Sequence, residues 1–140
     1  MKKIVLEYFD KADIYISTAA MSDIEFNISK EKIKKSSMSN NLEFSKAPDV
    51  LATVLKKKKE QIIIGFAAET SSANEAFLEK WKRKPVDLLI GNVVNSGVTG
   101  DKKGFRASSN EYFFIKDGKV SLPKHLSKSD LASEIQKEVF

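Results

Sequence analysis

Gln61-Ile62-Ile63-Ile64-Gly65-Phe66 is the stretch that decides the fold, because it is a continuous apolar, β-rich run. A strand without polar alternation is typical of a parallel sheet that is covered on both faces. A second apolar run, residues 86–90, follows an amphipathic segment at 72–84 that Pro85 ends. We therefore expect residues 61–66 to form a central strand of a parallel sheet.

Towards the amino terminus the same alternation of helix and strand continues. Residues 2–10 predict a helix, and residues 13–16 predict a short strand that ends in the small residues 17–20. Pro48 occupies a position where a first-turn proline is tolerated, and helical apolar spacing after it predicts a helix at 48–58. This order indicates an α/β fold with right-handed crossovers, whose ligands bind at the carboxyl ends of the strands.

Towards the carboxyl terminus the pattern changes to an antiparallel pair and a last helix. Asp117-Gly118 between the runs 112–115 and 120–122 predicts a type I′ hairpin. Ser127 and Asp130 predict the start of a helix with one apolar stripe, formed by Leu131, Ile135 and Val139. We expect one α/β domain over residues 1–140, with the antiparallel hairpin at one edge of its sheet.

Composition limits the chemistry that this domain can perform. The 140 residues include no Cys, which excludes thiolate metal sites and a Cys nucleophile. The one His, His125, has no evident partner for a zinc cluster or a His-dependent triad. The net charge of +5 is compatible with an anionic partner. The sequence contains no apolar run of the roughly 20 residues that a membrane span needs and no secretory start, so we expect a soluble, cytoplasmic protein without a membrane partner.

Two lysines in the segment 72–84 occupy unexpected positions. Helical spacing places Lys80 and Lys84 on the same stripe as Phe77 and Trp81. One interpretation is that their long stems pass the aromatic rings and reach water, and the pattern alone favours it. The other is that a polyphosphate lies between the two ammonium groups and compensates their repulsion and lost hydration.

The segment 24–46 is too long for an ordinary connection between a strand and a helix. It contains Lys32-Ile33-Lys34-Lys35, and Leu42-Glu43-Phe44 alternates like a short strand. The segment is either a β-arm that covers a site or pairs with another subunit, or a solvated basic loop. A second basic run, Lys56–Lys59, ends the predicted helix at 48–58, where cations complement the helix dipole, and we interpret it as structural or solubilising.

Residues 66–70, Phe-Ala-Ala-Glu-Thr, lie between the central strand and the next helix. Two alanines allow a ligand to approach the backbone, and the helix start favours anions. The sequence contains neither the dinucleotide-binding glycine fingerprint nor a P-loop. The pattern alone therefore predicts a generic anion site at this edge of the sheet.

Several segments together resemble the bacterial phosphopantothenate–cysteine ligases, the synthetase part of bifunctional decarboxylase/synthetase proteins. They are Ser17–Asp23, Lys32–Lys35, Pro48–Leu51 and, most specific, Gly65–Thr70. The resemblance continues, in order and spacing, through Lys80 and Lys84, residues 87–92, Gly104-Phe105, Asn110, Ser127-Lys128 and Leu131-Ala132. It covers nearly the whole chain.

The resemblance implies a three-layer, Rossmann-like fold and a ligase of coenzyme A biosynthesis. Enzymes of this family use CTP and a divalent cation, here Mg²⁺, to convert the carboxylate of 4′-phosphopantothenate to an acyl-cytidylate. The cysteine amine then attacks this intermediate to form 4′-phosphopantothenoyl-cysteine. The family is dimeric and is often fused behind a flavin-dependent decarboxylase, so the resemblance implies a homodimer in which the basic arm 24–46 crosses to the second subunit.

The resemblance also implies roles for individual residues. Lys32 resembles the family's essential lysine, whose charge offsets that of the reacting α-phosphate. Lys80 and Lys84 resemble ligands of the triphosphate, which favours the second interpretation of the two helix lysines. The expected cytidine contacts are Ser17, Thr18, Ala19, Asp23, Pro48, Asp49, Val50, Leu51 and Phe66. The metal ligands stay unspecified.

One departure from the family pattern changes the expected activity. Family members begin the synthetase domain with a strand and a Gly- and Ser-rich loop carrying an Asn for the acyl intermediate, and none of this precedes Lys2. We therefore expect a shortened domain that binds nucleotide with little ligase turnover alone and that an upstream half would complement. The alternative is a non-catalytic nucleotide- or flavin-binding module; nucleic-acid binding is disfavoured because acids interleave with the lysine runs.

Overall fold

The computed structural model describes residues 1–26, 43–70, 74–94 and 108–140. Four helices lie in these ranges: α1 Lys2–Phe9, α2 Val50–Lys57, α3 Asn74–Arg83 and α4 Lys128–Val139. The strands there are β1 Ile14–Ser17, β2 Ile24–Phe26, β3 Phe44–Lys46, β4 Ile62–Glu69, β5 Leu88–Val93, β6 Ser109–Lys116, β7 Lys119–Val120 and β8 Lys124–Ser127. No helix within them is long and apolar enough to cross a membrane.

The main sheet has the order β1-β4-β5-β6-β7. β8 also pairs with β6, at residues 109–112, whereas β7 pairs with β6 at residues 115–116. β1, β4 and β5 are parallel, whereas β6 runs antiparallel to β5 and to both β7 and β8. The prediction of a central strand in a parallel sheet is confirmed, although β4 continues three residues beyond Phe66 to Glu69. β8 was not predicted, because the polar sequence Lys124–Ser127 has no apolar alternation.

Helices cover both faces of the sheet and form the predicted three layers. On one face Phe9 of α1, Val54 of α2 and Phe77 of α3 share a core with Ile63 of β4 and Phe113 of β6. On the other face α4 packs through the predicted stripe of Leu131, Ile135 and Val139. Alternate residues of β4 and β5 enter the two cores, which explains why both strands are mainly apolar.

The turn between β6 and β7 has the predicted geometry. Asp117 and Gly118 have φ angles of 50° and 71°, and positive φ at both central residues is the property of a type I′ turn. Ser127 begins α4 as predicted, because its hydroxyl accepts a hydrogen bond from the Asp130 N–H at 3.1 Å. Gly104-Phe105 of the resemblance lies outside the described residues.

The start of α2 differs from the prediction. The helix begins at Val50 rather than at Pro48, because Asp49 is its N-cap and accepts a hydrogen bond from the Ala52 N–H at 2.9 Å. The basic run at its end contributes structural contacts, as interpreted: Lys58 Nζ lies 2.5 Å from Asp87 Oδ1, and Asp87 Oδ2 accepts a hydrogen bond from the Ile63 N–H. The Lys58–Asp87 pair therefore connects α2 to β4 and β5.

The described ends of the segment 24–46 form a separate two-stranded antiparallel ribbon. β3 occupies 44–46 instead of the predicted 42–44, and it pairs with β2, which was not predicted. The Ala47 N–H donates to the Asp23 carbonyl at 2.9 Å and joins the two ends of the ribbon. Lys32–Lys35 and Leu42 lie outside the described residues, so the interpretation of the whole segment as an arm stays a prediction.

Candidate functional site

A cleft of about 520 Å³ opens at the carboxyl ends of β1 and β4, where the fold class places ligands. Its walls are the segment 17–23 after β1, the segment 46–51 from the end of β3 into α2, residues 66–68 of β4, and the end of α3. Alanines make up much of the lining, namely Ala19, Ala20, Ala47, Ala67 and Ala68. Short side chains leave room for a ligand to approach the backbone.

The structure brings most of the predicted site residues together at this cleft. Those that line it are Ser17, Ala19, Asp23, Pro48, Asp49, Leu51, Phe66, Lys80 and Lys84. Thr18 is exposed beside the cleft and does not line it, and Val50 points into the protein with 2% of its surface exposed. Lys32, the predicted catalytic residue, lies outside the described residues, so its role stays a prediction.

The ammonium group of Lys80 is held at the end of β4. Lys80 Nζ lies 2.6 Å from Glu69 Oε1 and donates a hydrogen bond to the Ala68 carbonyl at 2.9 Å. Its side chain is 35% exposed, so the pair is partly shielded from water. Lys80 therefore does not simply extend into solvent, as the first interpretation of the helix lysines had it.

Lys84 is held by the opposite wall. Its Nζ lies 2.7 Å from Asp49 Oδ2, so an ion pair joins the end of α3 to the start of α2 beside the cleft. Its backbone N–H donates to the Lys80 carbonyl at 3.1 Å, which continues the last turn of α3 and keeps both lysines on one face. Each of the two helix lysines thus has its own carboxylate partner at the cleft.

Asp49 performs two tasks with its two carboxylate oxygens. Oδ1 caps α2 through the Ala52 N–H, and Oδ2 contacts Lys84. Burial raises the pKa of Asp49, but the Ala52 hydrogen bond and the Lys84 ammonium outweigh burial, with a further contribution from Lys46, and the pKa lies below its ordinary value. Asp49 therefore stays ionised between two positively charged side chains.

Sequence reasoning missed two cations that line the same cleft, Lys46 and Arg83. Arg83 follows Lys80 by three residues and so shares its face of α3, which is a signal that helical spacing could have given. Lys46 precedes Ala47 and Pro48 at the end of β3, and only the folded ribbon brings it to the cleft. Glu69, the partner of Lys80, was also not among the predicted site residues.

Core packing below the cleft fixes the position of α3. Phe77 is fully buried and lies directly over Gly91 of β5, and Trp81 donates its indole N–H to the Val86 carbonyl at 2.8 Å. Both aromatic residues belong to or pack against the core that α1 and α2 share. The cationic end of α3 is therefore presented by a rigidly packed helix.

Residues 1–140 match the model of the DNA/pantothenate metabolism flavoprotein C-terminal domain. The coenzyme A biosynthesis bifunctional protein CoaBC of Bacillus subtilis (strain 168) is 37% identical over 142 residues, which cover 99% of this chain and 34% of the relative. CoaBC of Borreliella burgdorferi is 31% identical over 144 residues, covering 100% of this chain and 35% of the relative. The chain spans about a third of these relatives.

Solved structures agree with the sequence matches. The crystal structure of the C-terminal domain of CoaBC superposes with a TM-score of 0.69 at 25% identity, covering 99% of this chain and 58% of that one. The DNA/pantothenate metabolism flavoprotein from Streptococcus pneumoniae has a TM-score of 0.71 at 15% identity, covering 99% and 69%, and supports the fold alone. The α/β fold and the resemblance predicted from the sequence are confirmed.

Proposed function

The chain belongs to the family of the DNA/pantothenate metabolism flavoprotein C-terminal domain, and on that premise we propose that it is the CTP-binding part of a phosphopantothenate–cysteine ligase of coenzyme A biosynthesis. The observation that carries the proposal is the position of Lys80 and Lys84 in a cleft at the carboxyl ends of parallel strands. The similarity to bifunctional proteins of coenzyme A biosynthesis supports a role in that pathway.

The shape and lining of the cleft suit a nucleoside triphosphate. Its volume of about 520 Å³ lies within the range of about 300–1,000 Å³ that small-ligand sites occupy. Phe66 and the neighbouring alanines offer an apolar surface for a base, and Lys80 and Lys84 offer charge for phosphates. We place the cytidine against the first group and the triphosphate against the second.

The proposed reaction needs two substitutions. An oxygen of the 4′-phosphopantothenate carboxylate bonds to the α-phosphorus of CTP while the bond to the bridging oxygen breaks and pyrophosphate leaves. The cysteine amine then bonds to the acyl carbon and loses a proton, and cytidine monophosphate leaves. Lys80 and Lys84 would stabilise the negative charge that collects on the leaving pyrophosphate.

We expect Mg²⁺ to reach the cleft together with the phosphates. Among the residues that the structure describes, no group of three or more His, Cys, Asp or Glu side chains is arranged to hold a metal. Mg²⁺ in nucleotide sites is usually held by one or two carboxylates together with substrate phosphates. Of the residues that the structure describes, Asp23 and Asp49 are the carboxylates that line the cleft, and we expect them to take that role.

A direct test measures CTP binding by calorimetry in the presence of Mg²⁺. We expect Lys80→Ala combined with Lys84→Ala to weaken binding at least tenfold, about 1.4 kcal/mol or more, because two charge-assisted contacts are lost. Lys82→Ala is the matched control, since Lys82 is exposed on the same helix and does not line the cleft. Equal affinities of wild type and double variant would refute the site. Pyrophosphate release with 4′-phosphopantothenate and cysteine tests the reaction itself.

A further inference from the structure

Four cationic side chains line the cleft among the residues that the structure describes, and they are not equivalent. Lys80 and Lys84 each contact a carboxylate, whereas Lys46 and Arg83 form no ion pair with any residue that the structure describes. The first two are partly buried, and the other two are exposed at the cleft. Among the described residues of the cleft, two cations are therefore held in ion pairs with carboxylates, and two are not.

The two uncompensated cations come from different walls. Arg83 is the last residue of α3, one turn after Lys80 and next to Lys84. Lys46 ends β3, three residues before Asp49, and its charge is felt by the Asp49 carboxylate. The Asp49–Lys84 contact joins these same two walls, so each wall carries one cation outside that ion pair, Lys46 on one and Arg83 on the other.

Pairing changes what each cation can offer an incoming anion. The field of an ammonium group with a carboxylate at 2.6 or 2.7 Å is largely cancelled beyond a short distance. A phosphate oxygen can contact Lys80 or Lys84 only in competition with Glu69 or Asp49. Lys46 and Arg83 need no such exchange, and the guanidinium of Arg83 can donate two parallel hydrogen bonds to a phosphate.

We propose that Lys46 and Arg83 are anion-binding residues of this cleft, one on each wall, which supply the net positive charge that attracts a polyphosphate. Lys80 and Lys84 then exchange their carboxylates for phosphate oxygens as the anion settles between the walls. The inference rests on the proposed nucleotide-binding function and extends it, because it makes the cleft selective for polyphosphates over monophosphates. A single phosphate group can contact only one wall, and it binds weakly because Lys80 and Lys84 stay paired with their carboxylates.

The test compares Lys46→Gln, Arg83→Gln and their combination with wild type. Binding of Mg²⁺–CTP, CMP and inorganic tripolyphosphate is measured by calorimetry at two salt concentrations. Each single variant should bind CTP and tripolyphosphate on the order of tenfold more weakly, with a smaller dependence on salt. CMP binding should change less, and Arg83→Lys should recover part of the loss. Lys82→Gln, which removes the same charge outside the cleft, should match wild type.

The outcomes separate this inference from the proposed function. If the Lys46→Gln, Arg83→Gln double variant binds CTP and tripolyphosphate as tightly as wild type does, the inference is overturned and the proposed CTP site is not. If wild type binds tripolyphosphate but not CTP, and Lys46→Gln and Arg83→Gln each weaken tripolyphosphate binding, the two residues bind anions but the proposed CTP site is refuted. Binding of neither ligand by wild type would overturn both. Because Lys46 and Arg83 are exposed, thermal midpoints should stay unchanged and show that every variant is folded.

Discussion

At the scale of single residues, we expect Glu69 to oppose anion binding, because its carboxylate forms an ion pair with Lys80. The carboxylate lies 2.6 Å from the ammonium group and is 21% exposed, so a phosphate must displace a partly shielded ion pair. We expect Glu69→Gln to bind tripolyphosphate several-fold more tightly than wild type, since the amide holds Lys80 without a charge. Glu75→Gln is the control for net charge, because Glu75 is exposed at the start of the same helix. Unchanged or weaker binding by Glu69→Gln in a calorimetric titration would contradict this view.

Asp49 allows the cap of α2 to be separated from the ion pair with Lys84. Asn caps helices as well as Asp, so Asp49→Asn should keep the cap and lose only the charge, whereas Asp49→Ala should lose both and cost about 1 kcal/mol more. Denaturant unfolding at neutral pH measures the difference between the two variants. Equal free energies of unfolding would show that the cap contributes nothing.

Asp49 also leads to a prediction about how stability depends on pH. The pKa of Asp49 in the folded protein lies below its ordinary value of 3.8, so ionised Asp49 favours the folded state. This contribution is fully present above pH 3.8 and is lost as the pH falls through the lowered pKa. The stability advantage of wild type over Asp49→Asn should therefore shrink only in strong acid, as thermal unfolding across pH can show. An advantage that shrinks near neutral pH would contradict the assignment.

At the scale of elements, the contact between β5 and α3 depends on one glycine. A Cβ built on Gly91 would lie 2.7 Å from two atoms of the Phe77 ring, closer than such contacts occur. We expect Gly91→Ala to destabilise the protein by about 1–3 kcal/mol, because α3 must shift from the sheet. It should also weaken CTP binding, since α3 carries Lys80. Gly65→Ala is the milder control, with its nearest neighbour, a Leu89 side-chain atom, at 3.3 Å. Equal stability of the two variants would show that Phe77 moves aside freely.

Elements whose own residues have a typical pattern could be predicted from the sequence, whereas elements that form only by pairing with another strand could not. β4 was visible because both cores require apolar residues along it, and the turn at Asp117-Gly118 was visible because positive φ needs these residue types. β8 was not visible, because a polar segment becomes a strand only through its pairing with β6. The site divides in the same way: helical spacing draws attention to Lys80 and Lys84, and the family resemblance favours a ligand between them, whereas Lys46 reaches the cleft only after the ribbon folds.

At the scale of the whole molecule, the ribbon of β2 and β3 presents an apolar face that the described residues leave uncovered. Phe26 pairs directly with Phe44, and Ile24 lies two residues from Phe26, so all three side chains are on one face. They are 42%, 56% and 62% exposed for Ile24, Phe26 and Phe44. An isolated two-stranded ribbon is at best marginally stable, and clustered exposed apolar side chains often mark an interface. We therefore propose that the ribbon packs against a second copy of the chain, as the dimeric family precedent suggests.

This homodimer can be tested by measuring mass in solution. Light scattering after gel filtration should give the mass of a dimer for wild type and of a monomer for Phe44→Glu, because a charge on the ribbon face would have to be buried in the interface. Leu122→Glu is the matched control: Leu122 is 86% exposed beyond β7, away from the ribbon, and its variant should stay dimeric. A monomeric wild type at high protein concentration would refute the proposal. Since the ribbon closes through Asp23 and Ala47, which line the cleft, the monomeric variant should also bind CTP more weakly.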